Sequence, residues 1–286
     1  MTPTQGATFA EACAIVTELA DLTSPTPGEI EQITKLFTKH GIAVFSAPQL
    51  DAATAIHALR DAFDLGESYS PPLYAGTTAV RADGLSELSV AAAPADGPAH
   101  PSFGTTDGQR LHTDGTLQPI GLIRTTILYC EQAAASGGGT YFFNSTGVYE
   151  RLRARDAEAA AQLERPDVLR RISNIGTDRH IADGPAFAES AGDGLQTRFA
   201  LSSTDYWNIP DGAEGRALLR GLAYLLDAQI EGSEDFVELN FQPGMGVLFA
   251  NDRLSHGRRA FTNHHEAPRS VQRGLYTRTL RSKIHA

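Results

Sequence analysis

Leu111-His112-Thr113-Asp114-Gly115 sets an imidazole and a carboxylate two residues apart. In an extended strand such residues share a face, so His112 and Asp114 would offer two ligand atoms to one point. Pairs of this kind arise often by chance, and a metal site needs a third ligand. The best candidate is His256, in Asn251-Asp252-Arg253-Leu254-Ser255-His256-Gly257-Arg258, which leaves the end of an apolar run, VLFAN. Two imidazoles and one carboxylate suit Fe(II) and leave three coordination positions open for small ligands. A structural zinc site would want a closed set of imidazoles or thiolates. The chain has only two cysteines, Cys13 and Cys130, far apart in sequence.

The whole chain sets the bounds within which such a site must be built. Its 286 residues are enough to bury a sizeable core. Hydrophobic residues make up 41% and charged residues 20%, which excludes a disordered tail. A net charge of −10 argues against non-specific binding to nucleic acid or acidic membranes. The first twenty residues carry Glu11 and Glu18 but no Lys or Arg, unlike a secretory signal. No apolar run approaches the roughly 20 residues of a membrane span. The expectation is a soluble, cytoplasmic protein that acts on a small molecule; oligomeric state is not legible.

Helical signals come first. Thr8 precedes FAEACAIVTELADL, Thr26-Pro27 caps a helix running to Gly41, and Asp51 opens another that closes at Gly66. IAVFS (42–46) reads as a short buried strand between them. Residues 70–110 hold five prolines and few large apolar side chains, so they read as long loops, interrupted by SELSV (86–90). Strand signals then dominate: LIRTTILYC (122–130), TYFFN (140–144), TRFALSS (197–203) and QRGLYTRTLR (272–281). FVELNFQ (236–242) and VLFAN (247–251) flank Pro243-Gly244-Met245-Gly246 and read as a hairpin. VYERLRARDAEAAAQLE (148–164) and ALLRGLAYLLDAQI (217–230) read as helices, the first with a solvated, charged face. The pattern is an α+β chain, taken as one domain over 1–286, with a β-sandwich or jelly-roll core.

Four segments together resemble the Fe(II)- and 2-oxoglutarate-dependent dioxygenases of the taurine dioxygenase type, with the layout of clavaminate and carbapenem synthases. They are KHGIAVFSA, LHTDG, SGGGT (136–140), and NDRLSHGRRAF followed by RSVQR. The resemblance runs from about residue 34 to 281. It implies a double-stranded β-helix (jelly roll) core with flanking helices, and His112, Asp114 and His256 as ligands of iron. It implies that Thr140 and Arg273 hold the far carboxylate of 2-oxoglutarate, with Arg278 as the alternative to Arg273. Arg269, four residues earlier, would hold a carboxylate or sulfonate near the iron, from cosubstrate or substrate. A guanidinium offers a planar fork of donors that matches a carboxylate. The implied reaction consumes O2 and 2-oxoglutarate, releases succinate and carbon dioxide, and hydroxylates an unactivated C–H bond. Desaturation, cyclisation and epimerisation use the same ligands and stay open. Asp114 argues against halogenation, because halogenating relatives carry a small residue at that place. Specialised metabolism is the expected setting.

Other readings weigh against these. A jelly-roll binding protein without turnover, or a zinc or manganese hydrolase, could use the same three ligands; a hydrolase has no need of a second-carboxylate clamp. Gln109 and Arg110 precede the metal motif and are candidates to reach substrate. Trp207, the only tryptophan, either lines the pocket or packs the core. The segment 70–110 runs into the first metal ligand and is a candidate lid, a device that excludes water once substrate is bound. His264 and His265 are adjacent, point apart and belong on the surface. Arg258 and Phe261 read as structural, and Cys130 as a small buried hydrophobe.

Overall fold

A computed structural model describes residues 6–74, 80–90, 103–115, 117–173 and 179–281. In chain order, α1 (Phe9–Ala14), β1 (Val16–Glu18), α2 (Pro27–His40), β2 (Ile42–Ser46) and α3 (Ala52–Ala62) lead to β3 (Ser86–Leu88) and β4 (Gln109–His112). Next come β5 (Thr125–Gln132), β6 (Ser136–Gly137), β7 (Thr140–Phe143), α4 (Ser145–Arg155) and α5 (Ala157–Leu163). The chain goes on through β8 (Leu169–Ile172), β9 (Ile181–Gly184), β10 (Phe187–Ser190), β11 (Gly194–Thr197), β12 (Asp205–Trp207) and α6 (Gly212–Asp227). It finishes with β13 (Phe236–Leu239), β14 (Met245–Ala250), β15 (Ser255–Arg258), β16 (Phe261–Thr262) and β17 (Ser270–Tyr276).

The core is a mostly antiparallel sandwich of jelly-roll type. One sheet has the order β1-β2-β14-β5-β17-β3, the other β13-β7-β15-β4. Side-chain alternation builds the layers. Val44, Leu128, Cys130, Phe142, Val247, Phe249 and Val271 share one apolar cluster that joins the two sheets. Their strand neighbours Ala43, Phe45, Ile127, Tyr129 and Leu248 face the other way, onto residues of α1, α2 and α3. Tyr141 and Phe143 face outward from the small sheet, onto α4, α5 and α6. Both faces of each central strand are therefore covered, which explains why IAVFS and TYFF read as unbroken apolar runs.

The caps behave as their residues dictate. Thr26 and Glu29 form a reciprocal capping box with Pro27 at the first turn, and Gly41 closes α2 in the left-handed region at φ 73°. Asp51 accepts a hydrogen bond from the Thr54 backbone N–H at the start of α3.

Several expectations are corrected. The first helix stops at Ala14, because the β-branched run Ile15-Val16-Thr17 leaves it, and Val16–Glu18 pair in parallel with Val44–Ser46. The charged helix splits at Asp156, whose backbone N–H closes α4 on Leu152 and whose carboxylate caps α5 at Ala159. Nor is it merely a solvated face, since Val148, Tyr149, Leu152, Ala160 and Leu163 are buried. Residues 198–201 form no strand, because their N–H groups go one by one to separate segments, Arg198 to Ala186 and Leu201 to Leu111. The hairpin over 236–251 does not exist. β13 pairs with β7, whereas β14 lies between β2 and β5, so the Pro243–Gly246 turn carries the chain from one sheet to the other. A turn signal reports that the chain reverses, not which strand it joins. The last strand stops at Tyr276.

Of the candidate lid, 75–79 and 91–102 lie outside the described residues. Within the remainder, the rings of Tyr74 and Phe103 meet edge to face at 5.9 Å. Arg258 donates from one guanidinium nitrogen to the carbonyls of Thr105 and Asp107, tying this segment to β15. Among the described residues no helix is long and apolar enough to cross a membrane.

Candidate active site

His112 ends β4 and His256 lies in β15. The two are direct cross-strand partners on antiparallel neighbours, with ring centroids 4.4 Å apart. Asp114 is not in a strand, contrary to the alternation argument. It sits in the turn after β4 and is carried back by a clamp. The Asn251 side chain accepts from the Asp114 backbone N–H at 2.8 Å and donates to the carbonyls of Asp114 and Ile123, both at 3.1 Å. Asn251 is 3% exposed and directly follows β14, so its side chain pins the turn to the large sheet. Ligand atoms of His112, Asp114 and His256 all fall within 4.8 Å of one another.

The electrostatics suit a divalent cation. Burial lowers the pKa of His112 and takes that of His256 down to about 3, helped by its neighbour His112. Both rings are therefore neutral near pH 7, with a lone pair to give. Burial, the largest single influence, pushes the Asp114 carboxyl up, but the Arg273 guanidinium, the two histidines and the Thr126 hydroxyl together outweigh it and hold the group below its ordinary range. Arg273 donates to one Asp114 oxygen at 2.5 Å, and the Thr126 hydroxyl donates to the other at 3.1 Å. His112 Nδ1 lies 2.9 Å from the Arg110 carbonyl, which selects the tautomer that leaves Nε2 free for a metal. Two neutral imidazoles and one ionised carboxylate, converging at a buried point, fit the Fe(II) donor set expected from sequence.

A cavity of about 590 Å³ opens onto this cluster, within the size range of small-molecule sites. His112, Asp114 and His256 line it together with Gln109, Arg110, Thr140, Arg171, Arg269 and Arg273. Trp207 is not in that wall. Its ring packs on Phe199 at 5.7 Å, in the outer core. Arg278 is also elsewhere, paired with Asp64 at the surface.

The two arginines of RSVQR occupy different places. A register shift between Ser270 and Val271 separates them, so simple alternation does not relate them. Arg273 meets Asp114, rather than standing away from the metal cluster. Arg269 lies beside the glycine turn. A side chain at Gly138, where φ is 74°, would come within 3.3 Å of its Nε. Arg269 is buried and its Nη1 has no hydrogen-bond partner among the described residues. A buried N–H of this kind is costly unless something accepts from it.

Sequence reasoning missed Asn251 and Thr126. Asn251 stood inside the quoted NDRLSH segment, but no local signal tied it to Asp114, which is 137 residues away. Thr126 looked like one more β-branched strand residue.

Comparison with known proteins follows the same line. Residues 3–275 match the model of the family described as taurine catabolism dioxygenase TauD, TfdA family. A uridine-5'-phosphate dioxygenase from a Streptomyces species is 37% identical over 254 residues, covering 85% of this chain and 88% of its own. Another uridine-5'-phosphate dioxygenase, from an Amycolatopsis species, is 37% identical over 273 residues, covering 94% and 95%. Among solved structures, AAD-2 in complex with Mn(II) and N-oxalylglycine superposes with a TM-score of 0.66 at 19% identity, over 94% of this chain and 96% of that one. This last likeness concerns the fold.

Proposed function

The chain belongs to the TauD, TfdA dioxygenase family, and from that premise we propose that it is an Fe(II)- and 2-oxoglutarate-dependent oxygenase that hydroxylates a C–H bond of a nucleoside 5'-monophosphate of the uridine type. The observation that carries the chemistry is the convergence of His112, Asp114 and His256. The substrate class is supported by two relatives matched over most of their length and by a cavity wall rich in arginine.

His112 through Nε2, Asp114 and His256 would hold the iron. Bound iron would activate O2, the oxidant, with 2-oxoglutarate giving up two electrons as it becomes succinate and carbon dioxide, and the chain's own groups do the positioning. The 2-oxoglutarate tail goes to Thr140 and Arg269. The supporting feature is the buried Nη1 of Arg269, without a partner among the described residues, beside the glycine turn that leads into Thr140. Arg273, which the motif order alone would have put on that carboxylate, keeps Asp114 ionised and aimed. Gln109 and Arg110 stand on the strand that ends in His112 and line the cavity, where they could reach substrate. In the described part of 70–110, Pro71, Leu73, Tyr74, Leu88 and Phe103 all line the cavity, and their apolar surfaces would help to exclude water.

The test is succinate formation. Fe(II)-loaded protein given 2-oxoglutarate, O2 and uridine 5'-monophosphate should form succinate in step with consumption of the nucleotide. Succinate release no faster than without nucleotide would reject the substrate. Absence of any 2-oxoglutarate turnover across a metabolite panel would reject the oxygenase reading in favour of a binding protein.

A further inference from the structure

We propose that Arg171, with the Ser203 hydroxyl of the neighbouring loop Ser202–Thr204, binds the phosphate group of the substrate. This rests on the nucleotide reading above and adds to it the residues that recognise the anion.

Arg171 comes from neither sheet of the sandwich. It lies in β8, the middle strand of a separate three-stranded sheet ordered β12-β8-β9. Alternation along β8 separates two adjacent arginines. Arg170 points outward and makes a two-bonded pair with Asp183 at 2.7 and 2.8 Å. Arg171 points inward and lines the cavity together with Ser202, Ser203 and Thr204. Its carboxylate neighbour is Asp205, with Nε and Oδ1 3.7 Å apart, too far for a hydrogen bond. Asp205 is itself held, its Oδ2 accepting from the Ser202 N–H at 2.8 Å and the Ser202 hydroxyl at 2.5 Å. Among the described residues the Arg171 guanidinium makes no hydrogen bond, so its fork of donors is aimed by Asp205 yet unspent.

The charges of the wall favour an anion. Four arginines line the cavity, Arg110, Arg171, Arg269 and Arg273, against the two carboxylates Asp107 and Asp114. That excess of positive charge stands inside a chain whose net charge is −10. An iron ion neutralised by Asp114 and by 2-oxoglutarate, with Arg269 on the tail, leaves Arg171 among the positive charges that substrate must meet. A phosphate monoester carries up to two negative charges and accepts from a planar guanidinium fork and a hydroxyl at once; Ser203 is the hydroxyl with its proton to give, since those of Ser202 and Thr204 are engaged by Asp205 and Ser202.

The experiment is equilibrium binding of uridine 5'-monophosphate, uridine and inorganic phosphate to protein loaded with Mn(II) and N-oxalylglycine. Wild type should prefer the nucleotide to the nucleoside. Arg171→Gln should weaken nucleotide binding on the order of 30-fold or more, leave uridine and N-oxalylglycine unchanged, and so abolish the preference. Arg170→Gln, on the outer face of the same strand, should change neither. Arg171→Lys keeps the charge without the fork, should fall between, and serves if Arg171→Gln folds poorly. An Arg171→Gln protein that keeps the wild-type preference for the nucleotide overturns the subsite while leaving the nucleotide reading intact. Arg171-dependent binding of inorganic phosphate without any affinity for the nucleotide keeps the subsite and rejects that reading. No affinity of the wild type for either phosphate compound rejects both.

Discussion

Replacing Asn251 by alanine removes three buried hydrogen bonds that all serve the Asp114 turn. The Asp114 N–H loses its acceptor, and the carbonyls of Asp114 and Ile123 lose their donor. Each group stranded without a partner costs roughly 1–3 kcal/mol. Some relaxation and water entry will recover part of the sum, so about 3–6 kcal/mol is the expected loss in folding stability. Urea denaturation of the metal-free protein measures it. A second readout separates positioning from stability alone. Loosening the turn lets Asp114 drift from the two imidazoles, so Mn(II) affinity, measured by competition with a chelator, should drop about 10- to 100-fold. Asn251→Asp sharpens the case, because it keeps the acceptor for the Asp114 N–H but turns an acceptor towards two carbonyls. It should be at least as damaging as alanine at pH 8. An Asn251→Ala protein with wild-type metal affinity would refute the clamp, whatever its stability.

His256→Ala removes one of three ligands and should abolish both turnover and measurable Mn(II) binding. Burial holds His256 at about 3, so protons do not compete for its lone pair near neutrality. Mn(II) affinity should then stay nearly level between pH 7.5 and 5.5, whereas a steep fall setting in near 6.5, as for an exposed imidazole, would contradict the buried geometry. Burial raises Asp252 from 3.8 to about 6, so the folded state binds this proton more tightly than the unfolded one. The ionised carboxylate therefore destabilises the fold above pH 6, by up to about 3 kcal/mol at about 1.4 kcal/mol per tenfold change in proton affinity. Asp252→Asn should stabilise the protein at pH 8 and make no difference at pH 3.5, as read by denaturant midpoints. A side chain at Gly257 would overlap the Tyr141 ring and the Gln109 carbonyl. Gly257→Ala should thus cost about 1–3 kcal/mol and weaken metal binding by pushing β15 off its neighbours; an unchanged melting temperature would dismiss that view.

Residue types and local order gave away much of this protein. The candidate donors His112, Asp114 and His256 were legible from residue type and motif order, while the caps at Thr26, Gly41 and Asp51 and the apolar runs of β2, β5, β7 and β14 follow from rules that act within a few residues. Side-chain alternation, capping and ligand chemistry are short-range, so a linear string carries them. The partners of β13 and β14, the seat of Asp114 in a turn, the clamp by Asn251 and the separate stations of Arg269 and Arg273 follow no such rule. Each depends on contacts across more than ninety residues, or on a one-residue register shift that reverses which face a side chain takes. Packing both sheets against shared apolar residues selects among those pairings, and a string of residues cannot express that competition before the chain has closed on itself.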